Sequence, residues 1–131
     1  MKGEINAIVK ECGDIRKSKG WDFGNEPIGI HALIHCEIAE ATEEVRRKTP
    51  YLYQMGINYV REKYIIDENH PDWRSAETSY TPKPEGQAVE LMDAVILIMS
   101  YYEAMGWDFE KILRLKMHYN RIRSGGGKNE R

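Results

Sequence analysis

An all-α fold is predicted by three features of the chain. Four stretches repeat apolar residues at helical spacing, and each has a residue that starts or stops a helix at one end. No stretch shows the alternation of a convincing β-hairpin. The 131 residues suffice for one domain with one core and are too few for two.

The first helix is expected over about Lys2 to Ser18, where Ile5, Ile8, Val9, Cys12 and Ile15 form an apolar stripe. Lys19-Gly20 stops it, and residues 21–27 read as a loop carrying Trp21 and Phe23. The second helix covers about Ile28 to Arg47, with Ile34, Ile38, Ala41 and Val45 on its apolar side and Glu37, Glu40 and Glu44 beside them. Thr49-Pro50 ends it. Residues 51–85 read as an insertion or long loop between helices two and three. A short helix is possible between Tyr51 and Ile66, and Pro, Asn, Ser and Thr are rich from Asp67 onward. Helix three spans about Gln87 to Met105 and stops at Gly106. Asp108 is placed to cap helix four, about Phe109 to Arg123. The expected division is one helical domain, residues 1–123, followed by a flexible tail, 124–131.

Composition narrows the classes. Hydrophobic content of 41% excludes wholesale disorder. Mean hydropathy is −0.63, and no apolar run approaches the roughly 20 residues of a membrane span. Met1-Lys2-Gly3-Glu4 lacks the apolar core of a signal peptide, so a cytoplasmic protein with no membrane partner is expected. A net charge of −2, from 19 basic and 21 acidic residues, argues against a duplex nucleic-acid module. Cys12 and Cys36 have no CxxC spacing and read as free thiols.

Two acidic pairs carry the chemistry: Glu37-x-x-Glu40 and Glu90-x-x-Asp93. Residues three apart on a helix point the same way. The second pair supplies the only polar residues between Ala88 and Met99. A helix that apolar should be buried, and a buried carboxylate needs a counter-charge. No lysine or arginine is near in sequence, so a divalent cation held between two helices is expected. Carboxylate oxygens suit Mg²⁺ or Mn²⁺, and Mg²⁺ is usually completed by substrate phosphates. Glu43 and Glu44 read as a solvated face, although Glu44 continues the stripe. A di-iron centre would need Glu-x-x-His pairs, which are absent. His31 and His35 are four apart without an HExxH pattern, and His35, beside the acidic stripe, is a candidate substrate contact.

Helix four is basic, with Lys111, Arg114, Lys116, Arg121 and Arg123 around Asn120, and Gly125-Gly126-Gly127-Lys128 follows. Alone this is a solvated face. Beside an acidic metal centre it has the fixed cations that a triphosphate requires. Trp21 and Phe23 either cap the core or pack against a base.

Five stretches extend the acidic signature: Lys19-Gly20-Trp21, Leu33 to Glu37, Lys83-Pro84-Glu85-Gly86, Val89 to Ile96, and Lys116 to Arg123. In this order they resemble the small, single-domain MazG-like nucleoside triphosphate pyrophosphohydrolases, over most of the chain outside residues 51–80. The resemblance implies an oligomeric, MazG-like four-helix bundle, a homodimer or homotetramer. It implies Mg²⁺-dependent hydrolysis of NTP or dNTP between the α- and β-phosphates, giving monophosphate and pyrophosphate. It makes Glu37, Glu40, Glu90 and Asp93 the metal ligands; for the reaction itself, a carboxylate not saturated by metal, Glu37 or Glu40, is the candidate proton acceptor. By the resemblance Lys116, Asn120 and Arg123 become phosphate contacts; Trp21, able to pack against a base, and His35, beside the acidic stripe, are the further candidate substrate contacts. The longer separation of the acidic pairs departs from compact members, as does the shortened basic tail around Lys128. Alternatives are a narrower dUTPase-like or phosphoribosyl-nucleotide pyrophosphatase, or a non-catalytic helical regulatory protein.

Overall fold

The computed structural model describes residues 3–23, 26–54 and 83–123. Most of the expected loop 51–85 and all of the tail 124–131, Lys128 included, lie outside the described residues. Four helices carry the described chain: α1 Glu4–Ser18, α2 Pro27–Arg46, α3 Gln87–Met105 and α4 Phe109–Ile122. The described residues are all-α apart from one two-residue antiparallel ladder, β1 Tyr53–Gln54 against β2 Pro84–Glu85, in register Tyr53↔Glu85 and Gln54↔Pro84. That ladder corrects the expectation of plain loop at both ends of 51–85. A two-residue strand is too short to show a sequence period, and Pro84, which donates no backbone hydrogen bond, argues against a strand.

Helix ends explain the bounds. Pro27 occupies the first turn of α2, where its missing N–H costs nothing. Asp108 caps α4, its Oδ1 accepting from the Lys111 backbone N–H at 3.1 Å. Three helices close with the same reversal, in which two backbone N–H groups bond back into the last turn. In α1 Gly20 donates to Lys17 and Trp21 to Arg16. In α3 Gly106 donates to Glu103 and Trp107 to Tyr102. In α2 Lys48 donates to Val45 and Thr49 to Glu44. The pivot is left-handed each time, glycine in α1 and α3, but Lys48 (φ 57°) in α2.

The chain forms two compact units. One contains Met1–Pro27 and Ile96–Arg131, the other Ile28–Val95. In the first, Val9, Phe23 and Tyr101 are buried with Arg16, Ser100 and Glu110. Arg16 donates to the Ser100 carbonyl at 2.6 Å, and its second nitrogen lies 2.6 Å from the Glu103 carboxylate, which Lys17 also reaches at 2.8 Å. Glu103 crosses α1 directly over Gly13, where a Cβ would collide with it. The helix therefore carries a glycine there despite its helix-weakening cost of about 1 kcal/mol. The N-termini of α1 and α4 are tied in the same unit. Glu110 accepts from the Gly3 N–H at 3.2 Å and from Arg114, while Asn6 donates to Asp108 and accepts from the Glu110 N–H, each at 3.0 Å. In the second unit Ile30, Ala41, Tyr53 and Ala94 are buried.

α3 is not covered as its composition predicts. Leu91 and Met92 are 42% and 55% exposed, and Val95 and Ile96 are exposed as well. Its two acids lie on the other side of the helix, half-buried. In a single chain α3 thus turns its carboxylates inward and leaves apolar residues in solvent. Among the described residues no helix is long and apolar enough to cross a membrane.

Candidate metal centre

The acidic pairs meet within the second unit. Glu37 and Glu40 stand on successive turns of α2, and Glu90 and Asp93 on the first turns of α3. The carboxylates of Glu37, Glu40 and Glu90 each place an oxygen within 4.8 Å of the other two. Glu40 acts on Glu90 carboxyl to carboxyl, across the facing turns of α2 and α3.

The electrostatics follow from that crowding. Burial, then the hydrogen bond and charge of Glu40, then the charges of Asp93 and Glu37 push Glu90 from its ordinary 4.5 to about 7. Glu37 is raised too, first by burial and then by Glu40. Asp93 is raised by burial and by Glu40, with Lys83 pulling the other way. Three acids on two helices therefore resist ionisation together. The group holds no nitrogen or sulfur donor, and an all-carboxylate set of this size suits a hard divalent cation.

The backbone that aims Glu90 is fixed by Gly86. At φ 120° Gly86 adopts a conformation that glycine tolerates best, and a Cβ there would strike the Tyr51 carbonyl. That carbonyl accepts from the Ala88 N–H at 3.0 Å, and the Gly86 carbonyl accepts from the Glu90 N–H at 3.0 Å. The start of α3 is thus clasped to the segment that follows α2.

Two residues take roles that sequence reasoning missed. Lys83, on the approach to β2, acts on Asp93 and pairs with Glu85 at 3.3 Å. The sequence reading found no lysine or arginine nearby along the chain; the turn at Gly86 brings one back from ten positions before Asp93. Glu44, the continuation of the acidic stripe, is occupied otherwise. It accepts from the hydroxyls of Thr49 and Tyr53 and so joins the end of α2 to β1. Thr49 and Tyr53, both able to donate and both just past the helix, were the available signal. Glu43 pairs with Arg46 and Arg47 on the surface, as a solvated face should.

The remaining predicted residues lie elsewhere. His35 is exposed two positions before Glu37, which on a helix sets the two side chains on opposite faces. Lys116, Asn120, Arg123 and Trp21 belong to the first unit. Lys116 and Arg123 both lie over the Tyr119 ring, at 5.0 and 5.9 Å, and Asn120 is exposed. Trp21 is exposed and stacks on buried Phe23 at 6.4 Å, with Arg16 against the same ring. Cys12 and Cys36 are unpaired, and burial pushes the Cys12 thiol up. Comparison of the chain with family models, with curated proteins and with solved structures finds no match.

Proposed function

We propose that the protein is a Mg²⁺-dependent nucleoside triphosphate pyrophosphohydrolase of the MazG-like kind, acting as an oligomeric helical bundle. The observation that carries this reading is the convergence of Glu37, Glu40 and Glu90 on one point, with Asp93 in the same electrostatic group. A cluster of acids in which Glu37, Glu90 and Asp93 all resist ionisation is poorly explained as a solvated face. The ordered resemblance of five stretches supplies the substrate class.

In this reading Glu37, Glu40, Glu90 and Asp93 hold Mg²⁺, with Mn²⁺ a possible substitute. The bound ion supplies charge neutralisation at the phosphates and a lowered pKa for water. Glu37 or Glu40, whichever is less committed to the ion, takes the proton of the water attacking the α-phosphate. The clasp at Gly86 holds Glu90 in register with α2. Lys116, Asn120 and Arg123 enter as phosphate contacts through the resemblance alone, and Trp21 and His35 as substrate contacts through their residue types and places in the sequence. The exposed apolar side of α3 supports an oligomer, because Leu91, Met92 and Val95 are covered only if a second copy packs on them.

The test is pyrophosphate release from a panel of NTPs and dNTPs, with Mg²⁺ and then with EDTA. Metal-dependent release with equimolar monophosphate is the expected result. Release from dUTP alone selects the narrower dUTPase-like alternative. No release from any nucleotide by folded protein removes the hydrolase reading and leaves the helical regulatory protein.

A further inference from the structure

The described part of the second unit holds four lysines and arginines: Arg46, Arg47, Lys48 and Lys83. Arg46 and Arg47 stand at the end of α2, well beyond Glu40, and pair with Glu43. Lys48 forms the left-handed pivot that closes the same helix. Lys83 is placed differently. It stands just before β2, whose Pro84 faces Gln54 across the ladder, and the turn at Gly86 then carries the chain into α3 and to Glu90 and Asp93. Its charge is felt by the acids: burial and Glu40 push Asp93 up, and Lys83 opposes them.

The lysine is nevertheless not consumed by the acids. Among the described residues its ion pair is with Glu85, at 3.3 Å, and not with Asp93. Residues two apart on an extended strand share a face, so Glu85 braces Lys83 from the same side of β2. The Lys83 side chain is 80% exposed, that of Glu85 22%. An ammonium carries three donors, and Glu85 engages one side of it. Closed onto Asp93, Lys83 would compete with a cation for that carboxylate. Held back by Glu85, it leaves the acids open and keeps a positive charge beside them.

A cation so placed suits a ligand that brings negative charge to the edge of the acids. Mg²⁺ is usually completed by substrate phosphates, and a triphosphate has oxygens beyond those the ion takes. A compact charge on a flexible stem can follow such oxygens without a fixed geometry. We infer that Lys83 contacts the phosphates of the metal-bound substrate and that Glu85 holds it at the edge of the acids for that purpose. The inference rests on the hydrolase reading. It adds to that reading a phosphate contact from the unit that carries the acids, whereas Lys116, Asn120 and Arg123 belong to the other unit.

The experiment measures binding by calorimetry in the full chain, first of Mg²⁺ alone and then of the α,β-imido analogues of the dNTPs in Mg²⁺. Lys83→Met and Lys83→Arg are compared with wild type. The side chain lies in solvent, so helicity by circular dichroism should be unchanged, and Lys83→Gln repeats the comparison should Lys83→Met fail to fold. Removing a cation beside the acids should tighten Mg²⁺ alone, by about threefold. The same change should weaken the analogue by about tenfold, because a charged phosphate contact is lost. Lys83→Arg should keep most of the analogue affinity. Opposite signs for the two ligands separate a phosphate contact from a structural role, which would weaken both together. Analogue binding unchanged or tightened in Lys83→Met, parallel weakening of both ligands, or an equal loss in Lys83→Arg each overturns the inference while wild-type binding and turnover keep the hydrolase reading. A wild type that neither binds an analogue nor releases pyrophosphate overturns both.

Discussion

Glu90 is the residue whose state differs most from that of a free carboxylate, and the sign of its effect can be worked out. With Glu90 raised from 4.5 to about 7, the metal-free folded state keeps a proton that the unfolded chain gives up at lower pH. Its contribution to stability is full below about 4.5 and is lost as pH climbs to about 7. Glu37 and Asp93 are shifted the same way. Glu103, held down by Lys17 and Arg16, and Glu110, held down by Arg114, act with the opposite sign, and below that window. Thermal melts in EDTA should therefore give a midpoint that falls from pH 4.5 to 7. Mg²⁺ at pH 7 should restore it, and Glu90→Gln should flatten the profile. A flat wild-type profile would remove mutual repulsion among these acids. Turnover provides a separate check. Glu40→Gln should keep the helical content and lose about 100-fold or more in kcat, and near-wild-type turnover would take Glu40 out of the site. Of these residues, the acids were legible because two carboxylates in an apolar run require an explanation. Lys83 was not, because its nearness to Asp93 depends on a glycine turn that a linear reading does not fold.

At the level of elements the helix bounds were read to within about two residues, since Gly20, Pro50, Gly106 and Asp108 mark them by chemistry that acts locally. The ladder and the clasp were not legible, because both join residues thirty or more positions apart. The clasp makes a sharp prediction. Gly86→Ala must give up a left-handed backbone and push away the Tyr51 carbonyl, which should cost about 2 kcal/mol or more. In a chain of this size the melting midpoint should fall by about 7 °C or more. The end of α2 gives the converse case. Lys48 holds the pivot that glycine fills in α1 and α3, so Lys48→Gly should raise stability by about 1 kcal/mol. A Lys48→Gly midpoint at or below the wild-type value would show that the lysine side chain offsets the backbone cost.

For the whole molecule, the sequence indicated how much apolar surface α3 carries but not which way it faces. Its acids and its aliphatic residues alternate too closely for composition to choose, and the partner helix α2 decides by presenting Glu37 and Glu40. The result is a helix with its polar side turned inward. Met92→Glu, placed on the uncovered side, should lower the solution mass without loss of helicity, as sedimentation would read. An unchanged mass would mean that this side of α3 stays in solvent in the native protein.

The register of β1 against β2 has a consequence for how the chain closes on itself. Gln54 and Pro84 are ladder partners, so residues 55–82 leave and re-enter the described structure at neighbouring points. Closing a loop of that length rather than a four-residue turn costs about 2 kcal/mol of chain entropy, because the cost grows only with the logarithm of length. The cluster of acids therefore depends on where that segment begins and ends far more than on how long it is. Its length is free to vary in related sequences, or to be cut to a tight turn by design, with Glu40 and Glu90 still facing one another.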